Sequence, residues 1–203
     1  MPVSVGQGPQ PDFDHPIELM MDCHRRIEKF LDVLDRVAVK NELDSERRRA
    51  LRTALNYFQS AGPRHNHDEE GDLFPALSAF GGAAARLVEK MDQLAAEHRL
   101  AEQMHKRLNQ LGRKWLKSRR ISAAHMTEFR LLVEQLMNFY AAHIATEEND
   151  VFPMAAAVLA PETLRQIGQN MRARRIENPG RSGSRCARRR KKISNASPAP
   201  VAV

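Results

Sequence analysis

The segment His143-Ile144-Ala145-Thr146-Glu147-Glu148-Asn149-Asp150-Val151-Phe152-Pro153 sets an imidazole four residues ahead of a carboxylate, and His65-Asn66-His67-Asp68-Glu69-Glu70-Gly71-Asp72-Leu73-Phe74-Pro75 repeats the device. The His, both Glu, the Asp, the Phe and the Pro coincide, which marks an internal repeat and two related halves. On a helix, residues i and i+4 share a face about a turn apart, so each copy can present an imidazole and a carboxylate to one point. The chemistry of that pairing is metal ligation.

The elements that must position these groups read as helices. Pro16 suits a first helical turn, with Asp14 or His15 able to cap it. Ile17, Met20, His24, Ile27, Leu31, Leu34 and Ala38 then form an apolar stripe with a histidine set in it. After a turn at Asn41–Ser45, a second stripe carries Leu51, Leu55, Phe58, Gly62, His65, Glu69 and Leu73. Gly62-Pro63 should kink or re-nucleate this helix just ahead of His65, and Pro75 should help end it. Beyond a break at Gly81-Gly82, the third stripe is Leu87, Met91, Leu94, His98, Ala101, His105 and Leu108. The fourth helix starts near Ser122 and carries Phe129, Val133, Leu136, Tyr140, His143, Glu147 and Val151. Pro161 opens a fifth, shorter helix with Leu164, Ile167 and Met171.

Four amphipathic helices joined by short turns predict an all-α, antiparallel up-down-up-down four-helix bundle with an internal two-fold repeat and a short fifth helix. The levels agree: at ~1.5 Å per residue, His98 lies roughly 28 Å from the end of its helix and His143 roughly 31 Å from the start of the next. The equivalent count for His24 and His65 matches to within about one turn. Six inward residues therefore converge: His24, His65, Glu69, His98, His143 and Glu147. That set exceeds the four ligands of a structural zinc and contains no thiolate. Two metals fit better, and imidazole with bridging carboxylate in a helix bundle favours iron or manganese. If both Glu bridge, each ion receives two His and two Glu oxygens, with a position left open for a small ligand. A cage of Ile27, Leu31, Phe58, Leu94 and Leu136 would keep water away from the centre.

The His-x-x-x-Glu-Glu motif, repeated with its Phe-Pro closure over roughly residues 12 to 175, resembles the hemerythrin-like, or HHE cation-binding, domains. The resemblance implies a non-haem di-iron centre held by His24 and His65 with His98 and His143, and bridged by Glu69 and Glu147. Oxygen-carrying hemerythrins supply a fifth His a turn along the third helix, where this chain has Glu102. The four-His, two-Glu set is more similar to di-iron proteins associated with iron-sulfur cluster repair, but their small Cys-containing N-terminal domain has no counterpart in this sequence.

The 203 residues fit one domain with appendages. Residues 1 to 13, rich in Pro, Gly and Gln, read as a flexible leader, 14 to 175 as the bundle, and 176 to 203 as a disordered basic tail. Net charge is +7, but residues 171 to 203 hold ten Arg and Lys against one Glu, so the basicity belongs to the tail and not to the folded part. The run Arg188-Arg189-Arg190-Lys191-Lys192 could contact acidic surfaces. Without interleaved aromatics, no specific nucleic-acid recognition is expected. Cys23 and Cys186 do not make a disulfide framework. No signal-peptide pattern or apolar run of membrane-spanning length occurs, which predicts a cytoplasmic protein.

Several neighbours have plainer readings. His105 is too far along its helix to join the centre and reads as a buried, hydrogen-bonded core residue ahead of the alternative, cavity-lining chemistry, while His67 and His125 fall off the stripes towards solvent. Glu28 and Glu102 each stand four after a site histidine, either as further ligands or, more simply, at the edge of a polar face. Glu70 and Glu148, one position past the proposed bridges, read as outer or surface partners. Tyr140 either reaches the site or packs against the bundle. The leading functional expectation is a di-iron protein that binds O2 or NO, or senses or stores iron. The rival is a di-iron enzyme or iron-sulfur cluster repair protein; a third class is an interaction protein docking through its tail.

Overall fold

A computed structural model describes residues 12–177, so most of the predicted leader and most of the predicted tail lie outside the described residues, while Ile176 and Glu177, expected in the tail, continue the last helix. Asp44 and Ser122 make the best-formed helix starts. Asp44 Oδ1 accepts from the Arg47 N–H at 2.8 Å and Ser122 Oγ from the His125 N–H at 3.3 Å, each satisfying a donor that the first helical turn leaves open. These caps begin α2 (Ser45–Ser60) and α6 (Ala123–Thr146). Helix α1 (Pro16–Val37) has Pro16 in its first turn as expected, but neither Asp14 nor His15 caps it with a side chain. Instead Asp12 Oδ1 accepts from the Asp14 N–H and lies 3.0 Å from His15 Nδ1.

The Gly62-Pro63 step re-nucleates the chain without turning it aside. Helix α2 ends at Ser60, α3 (Gly62–Asp68) starts two residues on, and Ala61 between them keeps helical dihedrals, its N–H bonded to the Tyr57 carbonyl. Pro75 does not end the segment, contrary to the sequence expectation. A π-helical turn over Glu69–Leu73 passes directly into α4 (Phe74–Phe80), and a second π turn over Glu147–Val151 passes into α7 (Phe152–Val158). Proline lacks an N–H and its ring clashes with the carbonyl four residues back; a wider turn, with the Phe N–H bonding to the Glu carbonyl five back, accommodates it. The extra residue re-registers the apolar face, so consecutive residues Leu73 and Phe74, and likewise Val151 and Phe152, are all buried. The break comes at Gly81, whose φ of +64° favours glycine.

A 3-10 turn (Gly82–Leu87) leads into α5 (Val88–Ser118), which ends at Arg119 with a left-handed φ of 60°. There the α5–α6 link is tied to the α1–α2 link: the Leu43 N–H donates to the Arg119 carbonyl and the Ile121 N–H to that of Asn41. Helix α8 (Pro161–Glu177) closes the described chain, lying across α1 and α3. All named elements among the described residues are helical. Helix α1 packs on α2 and α6, and α5 on the same two, so the four long helices enclose a common interior.

That interior holds two apolar clusters. One is built from Ile27, Leu31, Leu55, Trp115, Phe129 and Leu136 among others; the second from Met20, Leu73, Leu94, Val151, Phe152 and Met171 among others. Along α1 the boundary between them falls between Met20 and Ile27, and along α5 between Leu94 and Ala101. His24 and His98 sit in those gaps, which places a polar layer between two apolar cores. Phe13 also joins the second cluster, and Gly168 makes room for it: a Cβ there would lie 1.8 Å from the Phe13 carbonyl oxygen. Among the described residues no helix is long and apolar enough to cross a membrane.

Candidate metal centre

Helices α1, α3, α5 and α6 each deliver one histidine to this layer, and the first residue of each π turn delivers a glutamate. His24, His65, Glu69, His98, His143 and Glu147 are all at most 4% exposed. Glu69 turns Oε1 towards His65 Nε2 (3.4 Å) and His24 Nε2 (3.9 Å), and Oε2 towards His98 Nε2 (3.4 Å). Glu147 does the converse: Oε2 lies 3.0 Å from His24 Nε2, while Oε1 lies 3.1 Å from His143 Nε2 and 3.9 Å from His98 Nε2. His98 and His143 bring their Nε2 atoms to 3.0 Å. Each carboxylate thus offers one oxygen to each pair of histidines.

Two groups, His24 with His65, Glu69 and Glu147, and His98 with His143 and Glu147, have donor atoms within 4.8 Å of one another and could hold metal ions. The hydrogen bonding fits such a use. Both oxygens of Glu69, both oxygens of Glu147 and His24 Nε2 are buried without an aligned hydrogen-bond partner. Orphaned carboxylate oxygens cost several kcal/mol in a protein interior unless something neutralises them, by roughly the desolvation of an ion. A cation among these atoms would satisfy all of them together.

The outward nitrogens are occupied differently. His24 Nδ1 meets Glu148 Oε1 at 2.9 Å, His98 Nδ1 meets Glu70 Oε1 at 2.7 Å, and His143 Nδ1 meets Glu97 Oε2 at 2.8 Å. Donation of Nδ1–H to a carboxylate fixes the tautomer and leaves the Nε2 lone pair facing the cluster, as metal-binding histidines require. In each Glu-Glu doublet the first carboxylate faces the interior and the second holds a histidine from another helix. Sequence reasoning placed Glu70 and Glu148 in outer or surface roles but missed Glu97, whose only signal is its position directly before His98. His65 Nδ1 is buried with no such partner.

Protons compete with cations for these atoms. Burial disfavours charge on His24, but the adjacent Glu147 and Glu69 carboxylates more than reverse this and raise its pKa to about 10. His143 is raised to about 9 against the same burial, by Glu147 and Glu97. Burial together with the His24 cation lowers His65 to about 3, and burial with neighbouring His143 lowers His98. Glu69 is pushed up to about 8 by burial and the Glu147 charge. Burial opposes the Glu147 carboxylate, but His143 and His24 hold its pKa below the ordinary range.

The remaining sequence candidates separate clearly. Glu28 pairs with Arg25 and Glu102 with Lys106, both at the surface and away from the cluster. His67 is exposed and His125 half-buried beside its Ser122 cap. His105 Nε2, about two turns beyond His98, and the buried Tyr140 hydroxyl, about one turn before His143, form a hydrogen bond of 3.1 Å, and the Tyr140 ring stands edge-on to His143 at 6.2 Å. On the opposite flank, fully buried Asp68 is paired with Arg174 and Arg175 at 2.7 Å each, and Asp72 with Arg174 and Asn170. The sequence reading did not find this clasp of α8 on the ligand-bearing segment; its one signal was the Asp beside each of two motif positions facing an Arg-rich fifth helix.

A helical bundle with an inward His/Glu cluster of this kind defines a cation-binding helical domain. Residues 15–155 match the model of the hemerythrin HHE cation binding domain, and the chain belongs to that family. It is also 30% identical over 166 residues to an uncharacterised protein of Haemophilus influenzae, with 80% of this chain and 91% of that protein covered.

Proposed function

We propose that this chain is a non-haem di-iron protein that binds a diatomic ligand, O2 or NO, within an antiparallel four-helix bundle. His24 and His65 would hold one ion, His98 and His143 the other, and Glu69 and Glu147 would span them. The observation that carries the reading is the split of each carboxylate, one oxygen to each histidine pair, with all four oxygens buried and without hydrogen-bond partners. A bound iron pair would supply redox-active centres with coordination positions open to a small ligand. Manganese would satisfy the same donors, and iron sensing or storage would use the same site.

What the chain's own residues do follows from the geometry. Glu70, Glu97 and Glu148 orient the imidazoles, and the apolar clusters above and below the polar layer exclude bulk water from it. Phe152 stacks on His24 at 5.4 Å and Phe139 on His143 at 5.7 Å, covering those two rings. Few groups near the centre can deliver a proton, which favours ligand binding over turnover. The His105–Tyr140 pair is the one observation in favour of an enzyme, whether a peroxide or NO reductase or a repair protein. Mixing the reduced, iron-loaded protein with NO or O2 under excess reductant separates the two. One stoichiometric spectral change is expected; sustained consumption, abolished by Tyr140→Phe, would establish turnover instead.

A further inference from the structure

His98 differs from the two stacked histidines in lining a cavity that opens to the surface. This cavity, of about 270 Å3, lies between the start of α3 and the middle of α5, with Gly62 and Asn66 on one side and His98, Ala101 and His105 on the other. Tyr140 reaches it from α6, and a second cavity of about 240 Å3 adjoins it, sharing Pro63, Glu102 and His105. The seam exists because the helix is re-nucleated at Gly62-Pro63. A glycine stands at its mouth, and a Cβ there would meet nothing within 4 Å.

Size and lining specify the occupant. The part beside His98 alone is smaller than the ~300–1,000 Å3 of pockets that enclose drug-sized molecules, but it is ample for a molecule of a few atoms. Charged side chains also line the cavity, but Glu70, Arg99 and Glu102 are exposed and stand at its rim; deeper in, Phe58 stacks on His105 at 4.3 Å, and burial lowers the His105 pKa to about 4, so its imidazole is neutral. His105 Nε2 is engaged with the Tyr140 hydroxyl, and its Nδ1 is buried with no partner. Ala101, the next residue along this face of α5 after His98, contributes only a methyl to the wall.

We propose that the seam between α3 and α5 is the route by which a small uncharged ligand reaches the metal pair, passing the His105–Tyr140 pair and arriving beside His98. The proposal rests on the di-iron reading above and identifies the side from which that site is approached.

The test is a stopped-flow measurement of NO association with reduced, iron-loaded full-length protein, with iron content determined on the same samples. Gly62→Trp and Asn66→Trp each place an indole at the mouth, and the space around Gly62 predicts normal folding and iron content. Both should slow association by about tenfold or more, because access rather than affinity is altered. Ala157→Trp, on an exposed stretch of α7 lining a different cavity, should leave the rate unchanged. Iron-replete Trp variants that bind NO at the wild-type rate overturn the route and leave the di-iron reading standing. A wild-type chain that takes up no iron overturns that reading, and the route with it. Should one Trp variant lose iron, the other decides the matter.

Discussion

His24, His98 and His143 each give Nδ1 to an outer carboxylate, and His65 does not. The His98/His143 end therefore has two oriented, electron-rich imidazoles and the His24/His65 end has one. Glu70→Gln or Glu97→Gln keeps the shape but removes the charge; each should weaken metal binding by about 10–100-fold, as outer-carboxylate losses do elsewhere. Competition against a coloured chelator measures this, and wild-type affinity in both variants would contradict it. Proton linkage makes a second test. The raised pKa values of His24 and His143 stabilise the chelated protein fully below about pH 6.5, their ordinary value, and that contribution is lost as pH rises through about 9 to 10. Glu69, raised to about 8, acts in the same direction, since ionising it in the fold costs stability as pH climbs from its ordinary value through about 8. The melting temperature of chelated protein should thus fall between pH 6.5 and 10. Metal uptake should release protons from His24, His143 and Glu69 and strengthen over the same range. A chelated protein that melts higher at pH 9 than at pH 6.5 would contradict the assignment.

At the level of elements, the Phe-Pro closure has a different role from the one its sequence suggests. Proline was expected to end a helix. Here the chain absorbs it in a π turn that begins on the interior glutamate, so the same turn delivers Glu69 or Glu147 and returns the next apolar residues to the core. Only its clash with the preceding turn is legible in sequence; whether a helix stops or widens depends on whether the residues beyond have a core to reach, as Phe74 and Leu77 do. Helix α8 was legible from Ile167 and Met171, but its partner was not, because ion pairing across 106 positions leaves no periodic trace. Asp68 is fully buried and depends on Arg174 and Arg175. Replacing both arginines by alanine leaves that charge unpaired and should cost about 3–5 kcal/mol in urea unfolding. An unshifted midpoint would show that the clasp contributes nothing.

In the whole molecule, a polar layer is set between two apolar cores, and the stripes on the sequence already contained it: each histidine interrupts an otherwise apolar face at matching depth. The all-helical class and the convergence of six residues followed from that periodicity, and the starts of α1, α6 and α8 from Pro16, Ser122 and Pro161. Glu97, the His65 asymmetry and the cavity at Gly62 did not, because each depends on which helices become neighbours. The residues named in the clasp and in both cores all lie within the described residues 12–177. Truncation after Glu177 is therefore expected to leave iron content and melting temperature unchanged, and a lower melting temperature would assign the tail a packing role. The central claim is most directly tested by metal analysis of protein reconstituted anaerobically with excess ferrous iron and then desalted. The account predicts about two iron ions per chain, lost from a Glu69→Ala/Glu147→Ala variant that still folds as a helical protein, because those two carboxylates supply the oxygens shared between the histidine pairs. A single ion per chain, zinc retained in preference to iron, or full loading of the double variant would contradict it.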